Sequence, residues 1–230
     1  MVRISASGIK DYISCSKRYQ YRRERNSLAQ STPEKLVGKI VHEVLADYWN
    51  ESDILDLAIN VASGYNLDTY YENRIVELIK NFKEVPDLWL GESDLIERTF
   101  RENHYSGAEV WGMLDRITED GLILDWKTSS VYPLELHKDP QFIVYDWATG
   151  GEYRLSCVHL DTKQIIWYNR DNFYYNTIIN GVIPKMVEDI ESGNYVEEGL
   201  FRNTCSFCQF KGVCWNELAS SEPSARKRVS

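Results

Sequence analysis

Hydrophobic and polar residues alternate along this chain with two different periods. Between Leu36 and Tyr48 the apolar residues Leu36, Val37, Ile40, Val41, Val44, Leu45 and Tyr48 recur at helical spacing, which predicts an amphipathic helix over 34–49. The same period predicts a helix over 68–84 that turns Tyr71, Ile75, Leu78, Ile79 and Phe82 inward. Residues 5–25 read as a helix starting near Ser7, and a loop follows through Gln30-Ser31-Thr32-Pro33. Asp139-Pro140 has the form of a helix cap and first-turn proline, so a helix is expected over 140–149, with Gln141 and Tyr145 one turn apart on one face. A longer helix is expected over 171–192. Residues 95–103, 152–160 and 163–168 read as strands, the second of them alternating around Cys157. Helices and strands interleaved in this way predict an α/β domain with a central sheet flanked by helices.

Two further strands carry residues that such a sheet would not ordinarily hold. Trp111-Gly112-Met113-Leu114-Asp115-Arg116-Ile117 and Leu122-Ile123-Leu124-Asp125-Trp126-Lys127 flank Glu119-Asp120-Gly121, and so form a hairpin with charge inside its apolar runs. A two-residue turn at Asp120-Gly121 would pair Asp115 with Trp126 and put the two aspartates on opposite faces. A three-residue loop with Gly121 left-handed pairs Asp115 with Asp125, and Lys127 joins them on that face. Only the second register builds a site. Clustered carboxylates in an apolar setting need a countercharge, and a metal ion is the usual one; a solvated salt bridge is the plainer alternative for the hairpin alone.

Composition adds the setting. The 230 residues carry a net charge of −9, with no apolar run of membrane-spanning length and no signal peptide at Met1-Val2-Arg3-Ile4-Ser5, so a cytoplasmic protein is expected, in a host cytoplasm if the source is viral. The charge is uneven. Residues 1–40 hold nine basic and three acidic side chains, a net of +6, which leaves −15 for the rest. A basic wall that includes Arg18 and Arg22 could therefore steer a polyanion despite the global sign; an ordinary solvated helix would show the same pattern. The tail 217–230 is polar and basic and reads as disordered.

Five cysteines without a signal sequence do not suggest a disulfide framework. Cys205, Cys208 and Cys214 have C-x2-C-x5-C spacing, and Cys15 is the candidate fourth ligand from the other end. Four thiolates hold either zinc or an iron–sulfur cluster, and spacing does not decide between them. Cys157 lies in an alternating strand and reads as core.

Asp115 followed by Asp125-Trp126-Lys127 resembles the D…(D/E)xK signature of the PD-(D/E)xK nuclease superfamily, and the surrounding text resembles its RecB-like branch. Gly38-Lys39-Ile40-Val41-His42-Glu43, Gln141-Phe142-Ile143-Val144-Tyr145 and the split cysteine set extend the resemblance from about Ser5 to Trp215. The resemblance implies a restriction-endonuclease-like mixed sheet and a single nuclease domain over 1–216. Residues 1–30 and 200–216 would form a cluster-bearing part in which one [4Fe–4S] cluster on Cys15, Cys205, Cys208 and Cys214 joins the termini. Ser16 stands where this branch usually has proline. Alone, His42 would pass for a hydrogen-bonded histidine at the core's edge. The resemblance makes it a metal ligand for Mg2+ or Mn2+, together with Asp115, Asp125 and the Trp126 carbonyl. Lys127 and Gln141 become catalytic, Tyr145 a nucleic-acid contact, and Glu97 the acid of the preceding strand or an ordinary surface residue. The implied activity is a metal-dependent exonuclease on single-stranded DNA or DNA ends, with a helicase or a CRISPR integrase as partner. The alternative is a catalytically idle DNA-binding scaffold that keeps fold and cluster.

Overall fold

The computed structural model describes residues 1–24, 32–48, 53–88, 90–91, 94–132, 135–197 and 204–220. Contacts gather the chain into two compact units, one of residues 1–10 and 31–192 and one of residues 11–30 and 193–230.

The first unit is built on a six-stranded mixed sheet. Its strands are β1 (Val2–Ser5), β2 (Leu95–Asn103), β3 (Ala108–Ile117), β4 (Leu122–Lys127), β5 (Arg154–His159) and β6 (Gln164–Trp167). β2 runs antiparallel along one edge of β3. The other edge is divided: its first part pairs parallel with β1, from Ala108 to Trp111, and its last part pairs antiparallel with β4, at Arg116 and Ile117. β5 then lies parallel to β4, and β6 antiparallel to β5. β1 was not expected from the sequence. It is four residues long, and its alternation of Val2 and Ile4 is too short to stand out as a pattern.

Three helices close one face of the sheet. α3 (Pro33–Ala46), α4 (Ile54–Ser63) and α5 (Thr69–Lys83) bury Val37, Val41, Ile54, Ala58, Ile75 and Leu78 in one core with Leu124, Trp126, Val158 and Leu160 of the sheet. Each begins at a side-chain cap on the first turn: Thr32 for α3, Asp53 for α4 and Asp68 for α5. α4 was not anticipated, because apolar residues surround it almost completely and blur its period. Its buried positions are nonetheless Ile54, Ala58 and Ala62, each four residues from the last. α6 (Pro140–Ala148) has the predicted Asp139 cap, with Oδ1 accepting the Gln141 N–H at 3.0 Å. No helix among the described residues is long and apolar enough to cross a membrane.

Two expected helices are interrupted. The helix expected over 171–192 is α7 (Asn172–Asn176), a π-helical stretch (Thr177–Val182) and α8 (Ile183–Ser192). Pro184 explains the widening: it offers no N–H to the preceding turn and its ring crowds the Asn180 carbonyl. The helix expected over 5–25 is α1 (Ala6–Ser14) and α2 (Ser16–Glu24) with Cys15 at the break. Val196 causes that break within the second unit. Its N–H donates to Ser16 Oγ at 2.8 Å, and its carbonyl accepts from Ser16 Oγ at 3.2 Å and from the Lys17 N–H at 3.3 Å. A contact 180 residues distant in sequence overrides local helical preference there. α9 (Lys211–Ser220) completes the second unit and includes the start of the tail read as disordered; 221–230 lie outside the described residues.

Gly112 sits where β3 passes β2. A Cβ there would lie 2.6 Å from Phe100 Cε1 and 3.3 Å from Ala6 Cβ. Phe100 cannot easily yield, since its ring packs edge-on against Tyr145 at 5.9 Å. Gly112→Ala is therefore expected to destabilise the protein by about 1–3 kcal/mol through overpacking. Chemical denaturation checks this, and the loss should shrink when Gly112→Ala is made in a Phe100→Leu background.

Candidate active site

The hairpin closes in the three-residue register. The Thr118 N–H donates to Leu122 O at 2.9 Å, the Gly121 N–H donates to Thr118 O at 3.0 Å, and Gly121 is left-handed at φ +76°. Arg116 pairs with Leu124 and Ile117 with Ile123, a register that continues to Asp115 opposite Asp125. The ladder stops before it reaches them. Beyond that point the Trp126 N–H donates to Asp115 Oδ2 at 2.9 Å, so a side chain takes the place of a strand carbonyl. The strands part here, and Gly112–Asp115 pair with neither β1 nor β4 along this edge.

The opening holds a connected polar network. His42 Nδ1 of α3 lies 3.3 Å from Asp115 Oδ1. Lys127 Nζ lies 2.5 Å from Asp125 Oδ2 and donates to Gln141 Oε1 at 3.0 Å. Gln141 Nε2 donates to Asp125 Oδ1 at 3.0 Å and to Tyr145 Oη at 2.5 Å. Gln141 thus turns its acceptor to the ammonium and its donor to the carboxylate, and the Asp139 cap fixes its backbone. Lys10 Nζ in turn holds Asp139 Oδ2 at 2.8 Å. Sequence reasoning passed over Lys10, since nothing in its neighbourhood points to a residue 129 positions away.

Tyr145 needs a correction. It was expected to touch nucleic acid, but it is 1% exposed and cannot stack on a base. Its hydroxyl donates to the Met113 carbonyl at 2.8 Å, inside the gap between β1 and β4, and Asp125 Oδ1 is farther off at 3.5 Å. Tyr145 therefore satisfies an unpaired strand carbonyl and positions Gln141. Trp126 packs its ring in the core, edge-on to Phe82 at 5.7 Å, so only its backbone is available to the opening. Glu97 is exposed, stands beside Asp115 in the β2–β3 register, and has a strained φ of +49°.

Burial raises the Asp125 pKa and the Asp115 charge adds to it, while Lys127 opposes both. At Lys127 burial disfavours the charge, yet attraction to Asp125 and Asp115 outweighs it and the pKa rises. At His42 burial likewise disfavours the charge, and the hydrogen bond and charge of Asp115 raise the pKa in spite of it. Tyr145 is raised by burial and the two aspartates, so its hydroxyl stays neutral. Cys157, opposite Asp125 in the β4–β5 register, is pushed up to about 12 by burial.

The donor set suits a hard divalent cation: two carboxylates with a neighbouring imidazole. Asp125 Oδ2 is buried, and the Lys127 ammonium is the countercharge held against it. Among the described residues no three His, Cys, Asp or Glu side chains converge at single-ion spacing.

In the second unit Cys15, Cys205, Cys208 and Cys214 line one pocket with Lys17, Arg18 and Lys211, and none is in a disulfide. Burial raises the Cys205 thiol, and Cys15 and Cys208 raise it further. Four thiols around one pocket are a donor set of the kind that holds either zinc or an iron–sulfur cluster. Arg18 and Arg22 both lie against Asp11, the first at 3.0 Å. Their charge is partly neutralised, and the basic segment is less bare than its sequence suggests.

A family model described as the PD-(D/E)XK nuclease superfamily matches residues 3–215. A crystal structure from Eubacterium rectale, of a protein provisionally named an exonuclease, is similar at a TM-score of 0.55 and 15% identity over 85% of this chain and 84% of that one. The crystal structure of SSO0001 gives a TM-score of 0.48 and 16% identity over 93% of this chain and 86% of that one. No curated protein matches the chain.

The Asp115–Trp126 bond makes Asp115 a structural residue as well as a candidate ligand. Asp115→Ala strips the Trp126 N–H of its partner, while Asp115→Asn keeps an acceptor there. The alanine variant is expected to be less stable than the asparagine variant by about 1–2 kcal/mol. Equal denaturation midpoints would show that the bond contributes nothing.

Proposed function

Since the chain belongs to the PD-(D/E)XK nuclease superfamily, we propose that it is a metal-dependent deoxyribonuclease, an exonuclease that acts on single-stranded DNA or DNA ends. The observation that carries this reading is the gathering of Asp115, Asp125, Lys127, Gln141 and His42 where β3 and β4 part. The provisional exonuclease name of the Eubacterium rectale protein agrees with it.

Asp115, Asp125, His42 and the Trp126 carbonyl would hold Mg2+ or Mn2+. When bound, such an ion lowers the pKa of a water and polarises a phosphate. Lys127, held protonated by its acidic neighbours, would offset the charge that develops on the non-bridging oxygens. Gln141 bridges Lys127 and Asp125 and fixes their spacing, and Tyr145 fixes Gln141. We assign one [4Fe–4S] cluster to Cys15, Cys205, Cys208 and Cys214, with zinc as the alternative occupant. Its role would be to join the two ends of a single domain over 1–216. In this reading the enzyme works in the cytoplasm, in recombination, phage DNA processing or CRISPR adaptation, beside a helicase or an integrase.

End-labelled single-stranded DNA incubated with Mn2+ should be degraded by the parent protein. Chelation with EDTA, Asp125→Asn or Lys127→Ala should each lower the rate at least about a hundredfold, as loss of a key electrostatic group does. DNA binding without cleavage, indifferent to all three treatments, would assign the scaffold role instead.

The cofactor is tested separately by iron and sulfide content after anaerobic purification. Cys15→Ser, Cys205→Ser, Cys208→Ser and Cys214→Ser should each lose iron, and Cys157→Ser should keep it. Zinc without iron in the parent protein, or full iron loading in Cys15→Ser, would overturn the assignment.

A further inference from the structure

Two grooves flank α3 and meet at Lys35 and Gly38, which line both. One holds His42, Glu97 and Met113 and opens onto the candidate active site. The other, with a volume of about 830 Å³, runs between the start of α5 and Thr128-Ser129-Ser130, the residues that follow Lys127. That volume suits one or a few flat rings.

The charge of this second groove is unexpected for a path that leads to a nuclease centre. Arg74 pairs with Glu77 at 2.8 Å and also with Asp161. Glu34 accepts the Tyr71 hydroxyl at 2.9 Å. Lys35 and Arg74 face Glu34, Glu77 and Asp161, so the lining has no positive surplus to attract phosphates. It does have an aromatic wall. Tyr70 is 72% exposed, and Tyr71 braces it edge-on at 5.1 Å. A large ring held in the open by a second ring, beside hydroxyls and an amide from Asn73, fits a nucleobase better than a backbone.

Resting on the nuclease reading above, we propose that this groove is a base-binding subsite. A single strand leaving the active site past Gly38 would be held there by stacking of a base on Tyr70, with its phosphates left in solvent. The substrate class is unpaired nucleic acid, because a paired base has no face to offer.

Binding of fluorescently labelled oligothymidine to the full chain in EDTA tests this, read by anisotropy. Tyr70→Ala should weaken binding about tenfold, the scale of one stacked base, and Tyr70→Trp should restore it. The slope of affinity against salt should be the same for parent and Tyr70→Ala, because no phosphate contact is lost. Parent protein should bind an oligomer with abasic positions as weakly as Tyr70→Ala binds the intact one, and combining the two changes should cost nothing more. Tyr70 is exposed, so Tyr70→Ala should leave the melting curve unchanged. A parent-like affinity in Tyr70→Ala, a reduced salt slope, or indifference to abasic positions overturns the subsite while leaving the nuclease reading in place if the parent still cleaves. A parent that neither binds nor cleaves nucleic acid overturns both.

Discussion

Everything in the candidate site depends on two strands ceasing to pair. β3 and β4 hydrogen-bond only at the turn end of their hairpin, and the Asp115 carboxylate then takes the Trp126 N–H that the ladder leaves behind. A buried N–H without a partner is costly, so the strands can part only because an acceptor is already there. The gap that results has a second unpaired group, the Met113 carbonyl, and Tyr145 satisfies it. Backbone groups released by the opening are thus answered by the same side chains that shape the site. Stability and chemistry are coupled at Asp115, and substitutions there disturb both.

Much of this was legible in the sequence for a simple reason. A side-chain period of two makes register a yes-or-no question, and only the loop with a left-handed Gly121 puts both aspartates on one face. The Asp139 cap likewise fixes Gln141 by purely local geometry. What the sequence concealed was non-local. β1 is too short to announce itself, the break at Cys15 is made by Val196, and Lys10 reaches Asp139 across more than half the chain. Tyr145 shows another limit. Helical periodicity placed it on the same face as Gln141, but it could not say that this face is covered.

Charge is managed locally in this molecule. The chain carries a net charge of −9, and the cations nearest its acids are mostly committed to them: Lys127 to Asp125, Arg170 to Asp146, Arg74 to Asp161 and Glu77. With those cations committed, the charge left over is negative and offers a polyanion no long-range attraction. Recognition that relies on ring faces instead of phosphates suits a protein of this sign, and it favours unpaired strands over duplex.

The second unit is made from two stretches far apart in the chain, residues 11–30 and 193–230. On a ribosome those halves are separated in time. At typical elongation rates Val196 emerges roughly 10–40 s after Ser16, and until then α2 lacks the backbone that receives its first turn. Cys15 spends that interval as a solitary thiol. The first unit can be complete while the second is still only half made, and a nascent chain that stalls before Val196 would carry a finished sheet with an unfinished companion.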